Sequence, residues 1–261
     1  MSGYSLRGLH WFNALSAGAS VVEGLPPSLK VADAELGRFI AVVADPDNRF
    51  PRARNGEVGL LEGWGLAKAV DDAISADRDN AKKRPIIAIV DVPSQAYGRR
   101  EEALGIHQAL AGAADSYARA RLAGHPVIAL LVGKAMSGAF LAHGYQANRL
   151  IALRDPGVMV HAMGKASAAR VTLRSVEELE ALASSVPPMA YDIDSYASLG
   201  LLWETLSVQQ IEKPTEEDLT RVTECLKQAI NDVTSTDLKG RLGASNRAAS
   251  SKVRELLRAQ W

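Results

Sequence analysis

Cysteine is almost missing from this chain: among 261 residues there is one, Cys225. A single cysteine forms neither an internal disulfide nor a cysteine-rich zinc site. It lies within Asp218–Ile230, a stretch with helical periodicity, and is expected to be a small core residue. Net charge is missing as well, because 30 Lys and Arg balance 30 Asp and Glu. Nucleic acid is therefore not expected as a partner. A chain so close to neutrality has little protection against association, which fits a subunit of a complex. Long apolar runs are absent too; none approaches the roughly 18 residues that a membrane span needs. The first twenty residues carry one early Arg and no sustained apolar core, so no signal peptide is expected and the cytoplasm is the expected compartment. No spacing of His, Cys and carboxylates matches a metal site.

What is present is an apolar fraction of 47%, enough for a full globular core. Continuous apolar runs at Arg38–Ala44, Pro85–Val92 and Pro126–Val132 read as buried parallel strands. Helical patterns cover Val58–Ser75 and the Ala-rich Arg100–Leu122, with Gly124 as a stop signal. The turn Gly133–Ser137 leads into a short helix, Gly138–Gln146. Further strands are expected at Asn148–Leu153 and Gly157–His161. Such alternation predicts an α/β fold with right-handed crossovers. The second half is more helical, at Ser175–Ser184, Tyr196–Leu202, Glu216–Asp232 and Asn246–Gln260. The expected organisation is an N-terminal segment (1–37), one main domain (38–235) and a C-terminal helical appendage (236–261) that is peripheral or docks on another chain.

Open α/β sheets place ligands beyond the carboxyl ends of strands. Two such ends carry unusual residues: Asp91-Val-Pro-Ser-Gln-Ala-Tyr-Gly98 and Gly133-Lys-Ala-Met-Ser-Gly-Ala-Phe140. In the second, small residues at a strand-to-helix turn let a ligand approach the main chain closely. Amides at the start of a helix lack internal partners, so they can stabilise an oxyanion. The same small residues also suit a turn that merely packs tightly. Ser137 is a candidate nucleophile, but Ala135-Met-Ser-Gly-Ala139 is not Gly-x-Ser-x-Gly, and a Ser nucleophile needs a base in reach. Of His10, His107, His125, His143 and His161, the last is the best placed, at a strand end beside Ala162-Met-Gly-Lys165. Arg99 and Arg100 read as solvated charges rather than an anion site. Ser94, Gln95 and Gly98 from one strand end, with Met136 and Ser137 from the other, are the candidate substrate-binding positions.

These two segments carry a family resemblance. Asp91-Val-Pro, Gly98, Glu102 and Gly105-Ile106, followed by an Ala-rich helix and Lys134-Ala-Met-Ser-Gly-Ala-Phe140, resemble the carboxyltransferase subunits of acyl-CoA carboxylases. With Arg38-Phe-Ile-Ala-Val-Val-Ala-Asp-Pro-Asp-Asn-Arg49 and Gly56-Glu-Val-Gly-Leu60, the chain most resembles the gamma subunits of biotin-independent malonate decarboxylases, over roughly residues 38–235. The resemblance implies a crotonase/ClpP-like spiral of ββα units. It implies a lyase that works with a beta subunit, an acyl carrier subunit and an acyl carrier transferase subunit. The substrate is a malonyl thioester on a CoA-like prosthetic group delivered by the carrier, with no cofactor bound by this chain itself. It also implies oxyanion-hole amides at Gly138 and Ala139. Two positions depart from the carboxyltransferase pattern: Pro-Gly-Phe is Pro93-Ser-Gln95, which argues against biotin binding, and the first Gly of a Gly-Gly pair is Ser137. Two alternatives remain: a non-catalytic docking subunit, and a ClpP-like serine peptidase using Ser137.

Overall fold

The structure, a computed structural model, describes residues 3–236, 238–242 and 244–261. It opens with α1 (Arg7–Leu15), the two-residue β1 (Ser20–Val21), β2 (Leu29–Ala34) and β3 (Gly37–Val42). Helix α2 (Leu60–Ala76), β4 (Ile86–Val92), α3 (Arg99–Ala103), α4 (Ile106–Leu122), β5 (Val127–Met136) and α5 (Ser137–Ala142) follow. Then come β6 (Arg149–Leu153), β7 (Met159–His161), α6 (Lys165–Val171), α7 (Val176–Ala183), α8 (Ile193–Ser198), β8 (Glu204–Leu206), α9 (Glu216–Asn231) and α10 (Ala248–Gln260).

The strands pair in the order β1-β2-β3-β4-β5-β6-β8. The first three are antiparallel neighbours, and the pairings from β3 onward are parallel. Every residue of β3 and β4 is buried, as their mostly apolar sequences require, including Arg38 and Asp91. Strand β5 is longer than its apolar run. Its first half pairs with β6 through Ile128–Leu131, and its second half pairs with β7 through Lys134–Met136. One strand thus feeds two adjoining strands in succession, which is the spiral that the resemblance implies.

A register shift between Val90 and Val92 marks the change of partner. Asp91, buried there, accepts hydrogen bonds from the amides of Gly8 (3.2 Å) and Lys134 (3.1 Å), tying α1 and β5 to β4. A Cβ on Gly133 would lie 2.0 Å from Asp91 Oδ1, so only glycine fits beside this carboxylate. Helices α2 and α4 also approach closely, since a Cβ on Gly63 would meet the Ala109 carbonyl at 2.8 Å.

Several elements differ from the sequence reading. The helix expected over Arg100–Leu122 is split, because Gly105 adopts φ 81 and starts α4 afresh after α3. Residues 1–37, read as a segment apart, supply β1, β2 and α1 to the same sheet and core; Trp11 is fully buried and its indole donates to the Ile211 carbonyl at 2.8 Å. Cys225 is a free, buried core residue of α9, as expected, with its thiol pushed up to about 11 by burial. Helix α10 buries none of its residues and leaves Val253, Leu256 and Leu257 exposed. Among the described residues no helix is long and apolar enough to cross a membrane.

Candidate functional site

The carboxyl ends of β4 and β5 meet at one point. Strand β5 runs through Met136, and the chain must then reverse into α5. Ser137 makes that turn with φ 58, a left-handed conformation that favours glycine. This accounts for the glycine that carboxyltransferases carry at the matching position. The amides of Gly138 and Ala139 follow in the first turn of α5, where no earlier helical turn supplies acceptors. The Gly138 amide donates to Gln95 Oε1 at 2.8 Å.

Gln95 is held there by its own strand end. The Val58 amide donates to the Ser94 carbonyl (3.1 Å) and the Ala96 amide donates to the Val58 carbonyl (2.9 Å). The Ser94 hydroxyl is turned onto the Gln95 carbonyl at 2.7 Å. Gly98 has extended backbone, and a Cβ on it would lie 2.5 Å from both Arg52 Nε and Glu101 Oε2. Its small size therefore makes room for side chains at the start of α3. Met136 packs into a small apolar cluster with Ala168, Leu179 and Tyr191. The structure thus brings Gln95, Ser137, Gly138 and Ala139 together, and turns Ser94, Gly98 and Met136 to other contacts.

Beside the turn lies a cavity of about 320 Å³, lined by Ser137, Gly138, Tyr145, His161, Tyr196 and a wall of apolar residues that includes Pro187 and Leu199. His161 reaches it because β7 pairs with β5 in a register that sets His161 against Met136. Its ring stacks on Tyr191 with centroids 3.9 Å apart and planes 14° apart. His161 Nδ1 lies 2.9 Å from the Met163 carbonyl, which also accepts from Tyr191 Oη at 2.9 Å. The Met163 amide lies 3.2 Å from the same nitrogen, so Nδ1 donates to the carbonyl in one tautomer and accepts from the amide in the other. Burial lowers the His161 pKa, with the Met163 hydrogen bond acting the other way.

Tyr196 and Tyr145 were not visible as site residues in the sequence. Each is a lone tyrosine with no motif spacing, and both reach the cavity through tertiary packing alone. Among the described residues no group of three or more His, Cys, Asp or Glu side chains is arranged to hold a metal.

The family model described as malonate decarboxylase gamma subunit matches residues 53–261. The chain belongs to the malonate decarboxylase gamma-subunit family. As a gamma subunit it is part of a carboxy-lyase. A Pseudomonas malonate decarboxylase hetero-tetramer, solved in complex with coenzyme A, has a chain 73% identical to it; the match covers 98% of this chain and 99% of that one, with a TM-score of 0.94. A Pseudomonas malonate decarboxylase MdcD–MdcE hetero-dimer contains a chain 69% identical over the same shares, with a TM-score of 0.91. The malonyl-S-ACP:biotin-protein carboxyltransferase MADD of Malonomonas rubra is 32% identical over 239 residues, which is 87% of this gamma subunit and 78% of that protein.

Proposed function

We propose that this gamma subunit stabilises the enolate left when a malonyl thioester loses carbon dioxide, using the amides of Gly138 and Ala139. The observation that carries this reading is the Gly138 amide. It already donates at 2.8 Å to an sp² oxygen, Gln95 Oε1, in the geometry a thioester oxygen needs. The substrate oxygen displaces Gln95 and takes its place. Donors fixed before the reaction stabilise charge as it develops, and losing one typically costs about 2.7–4 kcal/mol, or about 100- to 1000-fold in turnover.

The thioester is carried on a CoA-like prosthetic group of an acyl carrier subunit, and the site is completed by a carboxyltransferase-like beta subunit. An acyl carrier transferase subunit loads the carrier, and the complex works in the cytoplasm. The relatives solved as a hetero-dimer and as a hetero-tetramer with coenzyme A support this assembly.

Replacing Gly138 with Val tests the reading. An added Cβ would meet only side-chain atoms, Gln95 Oε1 at 3.3 Å and Leu110 Cδ1 at 3.4 Å, so the fold has room to yield. Release of carbon dioxide is expected to fall at least about 100-fold while the complex still assembles on gel filtration. Turnover retained in an intact complex removes the assignment.

One observation favours weighing a second reading. The left-handed Ser137, between a strand and a helix, has the backbone of a nucleophile elbow. Among the described residues, however, no hydrogen bond to a base is made by its hydroxyl. Ser137→Gly separates the two readings. It relieves about 1–2 kcal/mol of left-handed strain and adds about 0.5–1 kcal/mol of unfolded-state freedom. Stability is expected to rise by between about 0 and 1.5 kcal/mol, and decarboxylation to persist. Inactivity of a folded S137G complex would support a serine nucleophile.

A further inference from the structure

Arg7, Arg38, Arg84, Arg119 and Arg149 each hold a carboxylate. Arg49 and Arg100 hold none. Both are exposed, and among the described residues neither makes an ion pair or a hydrogen bond. Instead each guanidinium lies over the Phe50 ring, 4.8 Å from its centroid for Arg49 and 5.1 Å for Arg100. A cation resting on an aromatic face keeps its N–H donors free for an anion. Phe50 itself lines a groove of about 450 Å³ that runs beside α2. No carboxylate lines this groove; its charged residues are Arg49 and Lys68. Lys68 pairs with Asp72 one turn further along α2, at 2.7 Å, and both are exposed.

The shape of the groove says what would fill it. Leu60, Leu61, Trp64, Gly65 and Lys68 recur at helical spacing, so they form one stripe along α2. Gly65 keeps the floor low, since a Cβ there would meet Leu29 at 3.0 Å and Pro26 at 3.2 Å. A hollow stripe along one helix is a seat for a second. Trp64 is 52% exposed and Leu104 55%, although both are large and apolar. Trp64 rests on α4 at Gly112, where a Cβ would lie 2.8 Å from the indole. An apolar patch rimmed by cations marks a protein contact, and Trp and Arg are the side chains that contribute most to such contacts. The polar side chains of the groove, Arg49, Lys68 and the Trp64 indole, all donate and none accepts. That set suits carboxylates, and it leaves the amino group of a nucleotide base without an acceptor.

We infer that this groove docks the acyl carrier subunit through an acidic amphipathic helix. The helix offers carboxylates to Arg49 and Arg100 and an apolar side chain to Trp64 and Leu104. This rests on the reading, given above, that the thioester arrives on a carrier. The groove is continuous with the oxyanion turn. Phe50 and Leu60 on its floor belong to one buried cluster with Ala96 and Ile106, and Leu110 packs against that cluster. On the far side of the cluster, Gln95 accepts from the Gly138 amide, and Leu110 Cδ1 lies 3.4 Å from the position of a Cβ on Gly138. A carrier seated here has only this cluster between its surface and the amides that its thioester must reach.

The test uses a complex of gamma and beta subunits, of the kind solved for the Pseudomonas relative, with malonyl-loaded carrier added as a separate protein. R49E/R100E breaks no ion pair, so its melting temperature should match wild type. Its KM for the carrier should rise about 10-fold or more with kcat at saturation kept, because rim charges act on association. Wild-type KM should climb with salt, and that dependence should largely vanish in R49E/R100E. W64A should also raise KM about 10-fold, with the salt dependence kept. K82E/K227E makes the same reversal in a separate hollow beside Gly37 and Pro85, and should match wild type. Malonyl-coenzyme A brings no helix, so on it R49E/R100E should stay within about 2-fold of wild type. An unchanged KM for the carrier in R49E/R100E overturns the inference. So does an equal loss on malonyl-coenzyme A, which would put a nucleotide in the groove. Loss of the beta subunit on gel filtration overturns it as well, since beta would then cover this face. The carrier reading fails separately, if wild type turns over malonyl-coenzyme A but not the carrier, and the enolate reading fails on an active Gly138→Val complex.

Discussion

Replacing Glu62 with Ala is expected to destabilise the chain by about 3–5 kcal/mol, because three buried donors lose their common acceptor. Glu62 is fully buried on α2, yet among the described residues it makes no ion pair. It is held by hydrogen bonds alone. Its Oε1 accepts from the Ser28 hydroxyl at 2.5 Å and from Asn48 Nδ2 at 2.7 Å, and its Oε2 accepts from the Gly59 amide at 2.9 Å. Alanine would leave three buried donors unpaired, each at about 1–3 kcal/mol before relaxation. Glutamine keeps the shape and one acceptor, so E62Q should fall between E62A and wild type. Urea titration of the three proteins checks the order, and a loss below about 1 kcal/mol for E62A would show that the network contributes little. The effect should also reach the site. Asn48 and Gly59 frame the loop whose Val58 pairs with Ser94 and Ala96, and that pairing holds Gln95 against Gly138.

Acid should destabilise the fold well before its carboxylates titrate. His143 is fully buried, with Nε2 2.9 Å from the Ile89 carbonyl and Nδ1 3.0 Å from Tyr117 Oη. Nε2–H donates to the carbonyl, and Nδ1 accepts from the phenol. Burial pushes the imidazole down to about 4 from an ordinary value of 6.5. The unfolded chain therefore binds a proton between these values that the folded chain refuses. The stability this group confers is complete above pH 6.5 and is lost as pH falls towards 4, by about 3 kcal/mol in all. His125 and His161 are also lowered by burial and add to the loss. Only below pH 4 does Asp77 follow, since hydrogen bonds from Arg84 hold its carboxyl well below the usual range. Melting temperatures measured from pH 7 to 4 should fall along this course, and His143→Asn should flatten it. A flat profile in the wild-type chain would mean that His143 charges without breaking its contacts.

Much of the architecture was legible because burial leaves a direct mark on sequence. Strands β3 and β4 are buried on both faces, so each reads as a mostly apolar run, and helical periodicity marks α2 and α9. The second half of β5 was not legible. Gly133 and Lys134 look like a turn, yet a carboxylate from β4 keeps them extended, and only the assembled sheet supplies it. Likewise α3 and α4 part at Gly105, where Ala-rich helical periodicity on both sides hid the break. At the site, the Ser-Gly-Ala composition pointed to the turn and its amides. What it did not carry was the oxygen already seated on Gly138, since Gln95 is 43 positions away.

The dual pairing of β5 also decides how this site moves. Its amides from Ile128 to Met136 are locked successively by β4, β6 and β7, in the buried centre of the sheet. Central strands exchange their amide hydrogens only through near-global opening, while loops exchange through small local fluctuations. The floor of the site thus belongs to the most slowly exchanging part of the chain. The exposed segments around Thr172–Val186, joined to the cavity through Pro187, have no such lock. On the function proposed above, substrate entry rearranges the far wall and the Gln95 side chain over a turn that stays still.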